Sequence, residues 1–71
     1  MSVADLQIKL GERIKVIRTK KNMTQNELAI KCDFEKASMS RIESGRSNPT
    51  IQTLYKICCS LDIHITELFK D

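Results

Sequence analysis

The sequence predicts an all-α fold in which five helices form one compact domain over residues 1–71. Three observations support this prediction. Apolar residues recur at intervals of three or four, which is the helical period, and no segment shows the alternation of a strand. Only two glycines and one proline interrupt the chain. Its three aromatic residues are outnumbered by leucine, isoleucine, lysine and glutamate, a composition that favours helix over strand.

The first helix is predicted over about residues 2–21. Ser2 and Asp5 have the spacing of a capping box, in which each side chain binds the other residue's backbone amide. Asn22 tolerates the left-handed conformation that ends a helix. The apolar residues form a stripe expected to face the core, and two others fall off that stripe, with their exposure left open by the sequence. The stripe is Leu6, Leu10, Ile14 and Ile17, and the exceptions are Ile8 and Val16.

Two shorter helices are predicted next, over about residues 24–31 and 35–44. Thr24 and Glu27 form a second capping box, and Gly45 is placed to end the later helix. The break between them contains neither proline nor glycine. Two short helices so close together hide little apolar surface by themselves, so other elements or a partner must cover them.

The C-terminal third contains a helix over about residues 50–61, capped by Thr50 after Pro49, and a short fifth helix over about 64–70. The predicted inward residues of the fourth helix are Ile51, Leu54, Ile57, Cys58 and Leu61. The C-terminal part carries more apolar surface than a domain of this size covers, which predicts a homodimer. The residues assigned to that interface are Leu61, Ile63, Ile65, Leu68 and Phe69.

Composition bears on several function classes. No apolar run approaches the roughly 18 residues of a membrane span, and acidic Asp5 lies where a signal peptide would be cationic. Three cysteines, two of them adjacent, fit no disulfide framework or zinc spacing, and core packing is expected for Cys32 and Cys58. We therefore expect a cytoplasmic protein without membrane contact, metal, cofactor or small-molecule ligand. An enzyme is not expected, because the sequence shows no nucleophile with a base and no glycine-rich phosphate loop.

Positive charge is concentrated in one part of the chain. Residues 1–49 hold ten Lys/Arg against six Asp/Glu, whereas residues 50–71 hold two against three. The positive field therefore belongs to the N-terminal two-thirds, which contains the pair of short helices.

Two short helices joined by a tight turn make a helix-turn-helix arrangement. The chain resembles the Cro and phage-repressor (Xre-type) family, and its small size is similar to that of restriction–modification controller proteins. The resemblance implies a lambda-repressor-like fold and a DNA-binding transcriptional regulator that binds an inverted-repeat operator as a homodimer. It is carried by Thr24-Gln25-x-Glu27-Leu28-Ala29, Met39-Ser40-x-Ile42-Glu43-x-Gly45, Asn48-Pro49, Leu54-x-x-Ile57 and Glu67-Leu68-Phe69.

The resemblance also implies roles for individual residues. The third helix would enter the major groove of double-stranded DNA with its N-terminal half against base edges. Phosphate contacts would come from the start of the second helix and from the loop after the third. The expected base-contacting residues are Lys36, Ala37, Ser40 and Arg41, and the expected phosphate-contacting residues are Gln25, Arg46, Ser47 and Asn48.

Arg18 and Glu43 occupy positions where the family pairs an arginine of the first helix with a glutamate of the third, and we expect a structural ion pair there. Asp33 and Asp62 stand where the family usually has glycine, and Glu35 stands where it has serine or threonine. A protein-interaction module, such as an antitoxin or adaptor with the same motif, is the alternative function. A large exposed apolar patch would favour that alternative.

Overall fold

The computed structural model describes residues 1–70, which form four α-helices and one 3-10 helix and contain no strand. The all-α prediction is confirmed. The fifth predicted α-helix is instead a short 3-10 helix, in which the Glu67 amide donates to the His64 carbonyl at 2.9 Å. Five residues are too few to build an α-helical ladder, and short pieces are where 3-10 geometry occurs. The elements are α1 (Val3–Lys20), α2 (Gln25–Lys31), α3 (Lys36–Glu43), α4 (Ile51–Leu61) and the 3-10 helix (Ile65–Phe69).

Both predicted capping boxes are present. The Thr24 hydroxyl accepts from the Glu27 amide at 3.0 Å, and the Glu27 carboxylate accepts from the Thr24 amide at 3.0 Å. Ser2 and Asp5 make the same reciprocal bonds at the start of α1. These hydrogen bonds to the charged form lower the pKa of the Asp5 and Glu27 carboxyls. The boundaries of α1 and α2 are thus fixed by local chemistry that the sequence displays.

Four residues at helix ends adopt the left-handed conformation. Asn22, Asp33 and Asp62 have φ of 57°, 58° and 55°, and Gly45 has φ of 78°. Aspartate and asparagine tolerate this region better than most residues with a side chain. Asp33 and Asp62 therefore end their helices as glycine would, at the cost of some backbone strain.

The core draws on all five helical elements. Cys32 and Cys58 are buried within it, as predicted, and Ile8 and Val16, which fall off the buried stripe, are exposed. Two assignments were wrong, because Leu6 is 43% exposed and Ile51 is 72% exposed. Each lies in the first turns of its helix, where no neighbouring element covers the apolar stripe. The buried apolar residues are Leu10, Ile14, Ile17, Leu28, Ala29, Cys32, Met39, Ile42, Leu54, Ile57, Cys58, Leu61 and Leu68.

Helices α1 and α3 come into backbone contact at Gly11. A Cβ at this position would lie 2.5 Å from the carbonyl oxygens of both Ile42 and Glu43. Glycine is the residue that permits such a close approach. The absence of a side chain at residue 11 therefore sets the distance between α1 and α3.

Arg13 joins α1 to the 3-10 helix. Its Nε donates to the Glu67 carbonyl at 2.8 Å, and its Nη2 lies 3.7 Å from the Glu67 carboxylate. In the folded chain Arg13 attaches the C-terminal element to the domain.

None of the helices in residues 1–70 is long and apolar enough to cross a membrane. The same residues contain no group of three histidine, cysteine or acidic side chains that could hold a metal ion.

Candidate nucleic-acid interface

A four-residue turn, Cys32 to Glu35, connects α2 to α3. The Phe34 amide donates to the Ala29 carbonyl at 2.8 Å and closes the end of α2, while left-handed Asp33 redirects the chain. Helix α2 packs on both α3 and α4. This arrangement makes α2 and α3 a helix-turn-helix unit whose inner surface is covered by the rest of the domain.

The predicted base-contacting residues lie on one face of α3. Lys36, Ala37 and Arg41 are exposed and Ser40 is half-buried. Their spacing of one, four and five residues places them side by side on a helix. The opposite face, formed by Met39, Ile42 and Glu43, is buried. The structure thus brings the four predicted side chains together on the outer surface of the domain.

The loop after α3 is folded back against the helix end. The Arg46 amide donates to the Arg41 carbonyl at 2.9 Å, and Arg46 Nε donates to the Ser44 hydroxyl at 3.1 Å. Ser44 in turn donates to the Arg41 carbonyl at 3.1 Å. Of the other predicted phosphate-contacting residues here, Asn48 is exposed and Ser47 is half-buried. Ser44, which the sequence did not single out, is the residue that holds Arg46 beside Arg41.

Arg18 and Glu43 form a buried pair between α1 and α3. Arg18 Nε donates to Glu43 Oε2 at 2.7 Å and Arg18 Nη2 donates to Oε1 at 3.0 Å. Their side chains are only 10% and 3% exposed. Arg18 also donates through Nη1 to the Met23 carbonyl at 2.8 Å, which fixes the entry to α2. The arginine neutralises the acidic residue of α3 and ties three elements together.

Gln25, the predicted phosphate contact of α2, also meets this pair. Its Nε2 donates to Glu43 Oε1 at 3.2 Å. The sequence placed Gln25 beside DNA and Glu43 in the core but did not connect them. Spacing alone could not show the contact, since the two residues are eighteen positions apart and on different helices.

Charge on α3 and just after it is mainly positive. Lys36, Arg41 and Arg46 are exposed there, and the exposed acidic residue next to them in the sequence is Glu35, the N-terminal cap of α3, whose side chain makes no capping hydrogen bond. The carboxylate of Glu43 is already paired. A surface of this kind attracts a polyanion.

The predicted dimer residues divide into two groups. Leu61 and Leu68 are 1% and 2% exposed, so they belong to the core of the single chain and cannot contact a partner. Placing them on an interface was wrong, because both belong to the buried core in the region where the 3-10 helix packs against α1 and α4. Ile63 and Ile65 are half-buried and Phe69 is 52% exposed.

An apolar groove lies between α4 and the segment that precedes the 3-10 helix. Ile63 and Ile65 line it together with Ile51 and Tyr55 of α4. Ile51 and Tyr55 are 72% and 64% exposed. The two residues are four positions apart and therefore adjacent on α4, but the helical period alone placed Ile51 on the inward stripe, so the sequence did not reveal this groove.

The cysteines differ in environment. Burial raises the pKa of the Cys32 and Cys58 thiols, and Cys32 Sγ lies 3.3 Å from the Ser60 hydroxyl. Cys59 is exposed and its hydrogen bond with Tyr55 raises the pKa of that phenol. Buried thiols of raised pKa are poor nucleophiles, which agrees with a packing role for Cys32 and Cys58.

Comparison with known proteins assigns the fold and the motif. The helix-turn-helix model HTH_3 matches residues 14–68. The control protein C.MunI of a Mycoplasma species is 34% identical over 68 residues, which cover 94% of this chain and 92% of the relative. The transcriptional regulator SlrR of Bacillus subtilis is 36% identical over 61 residues, but the match spans only 40% of that longer protein.

Solved structures agree. The crystal structure of the restriction-modification controller protein C.AhdI from Aeromonas hydrophila superposes with a TM-score of 0.87 at 33% identity, covering 93% of this chain and 98% of that one. The motif, its arrangement and these relatives lead to one conclusion: the chain belongs to the Xre-type helix-turn-helix (HTH_3) family of transcriptional regulators.

Proposed function

We propose that the chain regulates transcription by binding an inverted-repeat DNA operator as a homodimer, with α3 in the major groove. The observation that carries the proposal is the exposed face of α3, where Lys36, Ala37, Ser40 and Arg41 lie side by side at the edge of a positive surface. Helices of this motif insert their N-terminal half into the major groove.

The exposed residues of α3 offer complementary chemistry for reading bases. The planar guanidinium of Arg41 can donate to guanine O6 and N7 together, whereas Lys36 supplies one movable charge. Ala37 can touch a thymine methyl group, and Ser40 can donate or accept. Arg41 makes one long hydrogen bond, 3.4 Å to the Ser38 hydroxyl, which a stronger base contact would replace.

Phosphate contacts are assigned to Gln25 on one side of α3 and to Arg46, Ser47 and Asn48 on the other. Such contacts fix the register of the protein on DNA without reading its sequence. The hydrogen bond that Arg46 Nε donates to the Ser44 hydroxyl supports the assignment of Arg46, because it holds the guanidinium at the end of α3.

The dimer surface is assigned to the apolar groove, formed by Ile51, Tyr55, Ile63 and Ile65, and to exposed Phe69 of the 3-10 helix. Exposed isoleucine and tyrosine side chains in one groove provide the kind of apolar centre that homodimer interfaces have. A two-fold dimer of this class places its recognition helices about 34 Å apart, so half-sites should be one helical turn apart.

The experiment compares Arg41→Ala with Arg46→Ala. An operator is first selected from a pool of random duplexes, and each variant is titrated against it and against a scrambled duplex at several salt concentrations. Arg41→Ala should lose about 1–3 kcal/mol on the operator and little on the scrambled duplex. Arg46→Ala should weaken both and flatten the salt dependence by about one unit of slope.

Three outcomes would contradict the proposal in different ways. Parallel losses for Arg41→Ala on both duplexes would make Arg41 a backbone contact and leave Lys36 as the reader of bases. No selected sequence at all would remove operator recognition. Unchanged binding in both folded variants would mean that the positive surface is not a DNA contact.

A further inference from the structure

We propose that Glu43 is a positioning residue for DNA binding, because its carboxylate fixes the Gln25 side-chain amide so that an N–H remains available to a DNA phosphate. The inference rests on the proposed function and assigns to the buried ion pair a role beyond stability. It is carried by the contact between Gln25 Nε2 and Glu43 Oε1 at 3.2 Å.

The orientation of the amide follows from the chemistry of the carboxylate. An ionised Glu43 can only accept hydrogen bonds, and both of its oxygens already accept from Arg18. Gln25 must therefore present its NH2 group to Glu43 and not its carbonyl oxygen. The Glu43 carboxylate thus determines which of the two possible orientations the Gln25 amide adopts.

Gln25 retains one side-chain N–H that could donate a hydrogen bond to a ligand. An amide NH2 has two hydrogens, and Glu43 takes one of them. Among residues 1–70, Gln25 Nε2 has no second protein partner, and the residue is only half-buried at the first position of α2. Phosphate oxygens accept hydrogen bonds, so the second N–H has the right polarity, whereas an outward-facing carbonyl would repel the phosphate.

The Gln25 amide is also held in place by a buried network. Glu43 is held by the Arg18 fork, and the Arg18 guanidinium is held by the Met23 carbonyl two residues before Gln25. The Gln25 amide is therefore attached to a buried network on both sides of the turn into α2. A side chain ordered before binding loses less conformational freedom when it meets DNA.

The test uses an exchange of the two side chains. Gln25→Glu places two carboxylates together and Glu43→Gln removes the acceptor, so each single variant should melt below the wild type. The double variant Gln25→Glu/Glu43→Gln restores one donor beside one acceptor at unchanged net charge, so its melting temperature should lie above that of Glu43→Gln but below that of wild type, because the carboxylate that pairs with Arg18 at residue 43 is still missing. Its residue 25, however, is now an anionic acceptor facing phosphate.

DNA affinity then separates positioning from stability. With every variant fully folded at the assay temperature, the double variant and Gln25→Ala should bind a random-sequence duplex at least about tenfold more weakly than wild type, the effect of losing one charge-assisted hydrogen bond. Glu43→Gln should show a smaller loss. Because Gln25 is neutral, the salt slope for Gln25→Ala should stay as in wild type, unlike that for Arg46→Ala.

Ile57→Val is the matched control, since it weakens the buried core within α4 without changing a residue of α2 or α3, and it should leave affinity unchanged. Wild-type affinity in the double variant, or in Glu43→Gln, would overturn the positioning role while leaving the proposed function intact. If the wild type binds no duplex, the proposed function fails first and this inference fails with it.

Discussion

The seam between α1 and α3 and the groove beside α4 are built in opposite ways. The seam has backbone contact at Gly11 and a buried ion pair with two direct bonds between Arg18 and Glu43. The groove has exposed Ile51 and Tyr55 beside half-buried Ile63 and Ile65, and the adjoining 3-10 helix is held by Arg13. Specific polar contacts thus define the part that presents α3, whereas unspecific apolar surface remains where a second chain is proposed to bind.

The largest effect is expected from a substitution that breaks the ion pair between α1 and α3. Arg18→Ala leaves the carboxylate of Glu43 buried without its partner, which should cost about 3–5 kcal/mol of stability. In a domain of this size that loss lowers the melting temperature by at least about 12 °C. Thermal denaturation followed by circular dichroism measures it. Exposed Lys20 is the control, and Lys20→Ala should change stability by less than about 0.5 kcal/mol.

The next effect tests the close approach in the same seam. In Gly11→Ala the new methyl group meets two backbone carbonyls, which cannot rotate away as a side chain does. Overpacking of this kind costs about 1–3 kcal/mol, although alanine favours helix over glycine by up to about 1 kcal/mol. Denaturant titration should show a net loss. A stabilised Gly11→Ala variant would mean that α1 and α3 are not in backbone contact.

The groove should respond in assembly more than in stability. Ile51 is exposed, so Ile51→Glu should leave the monomer folded with a stability change within about 0.5 kcal/mol. In sedimentation velocity the wild type should dimerise, and the variant should need at least about tenfold higher concentration to do so. The same charge at exposed Ile30 of α2 is the control. Equal effects at both positions would move the interface away from the groove.

The smallest effect concerns pH. Hydrogen bonds from Thr24 lower the pKa of Glu27, so the folded state holds the carboxylate charged more strongly than the unfolded state does. The resulting stabilisation is complete above the unfolded pKa of about 4.3 and is lost as pH falls through the lower folded pKa. Glu27→Gln keeps a capping side chain that does not titrate. Its melting temperature should therefore fall less than that of wild type between pH 5 and pH 3.

The contrast between seam and groove also explains what the sequence could predict. Capping boxes at Ser2 and Thr24 are local, and the helix starts that they predict are present. The buried faces of α1 and α3 follow from periodicity except at Leu6, which lies beyond the reach of neighbouring elements. The family resemblance implied an ion pair between Arg18 and Glu43, and Arg18 Nε lies 2.7 Å from the Glu43 carboxylate.

The features that the sequence did not predict depend on which elements pack against each other in the folded chain. Leu61 and Leu68 have the same chemistry as Ile63 and Ile65, and only the packing of the 3-10 helix decides which pair is hidden. The bond between Gln25 and Glu43 and that between Arg13 and Glu67 join distant positions whose side chains have many potential partners. The spacing of apolar residues predicts the type of an element and its apolar face, but it does not predict which neighbouring element covers that face.

Backbone contact at Gly11 has a consequence for how the protein would measure DNA. With α1 and α3 touching through their main chains, α3 cannot tilt or slide without carrying the whole domain with it. The distance between the two α3 helices of a dimer could then be adjusted to the spacing of the half-sites only at the interface between the two chains. The dimer contact at the groove beside α4 would then determine the distance between the two half-sites. Substitutions in the groove would change that preferred distance while leaving the preferred bases unchanged.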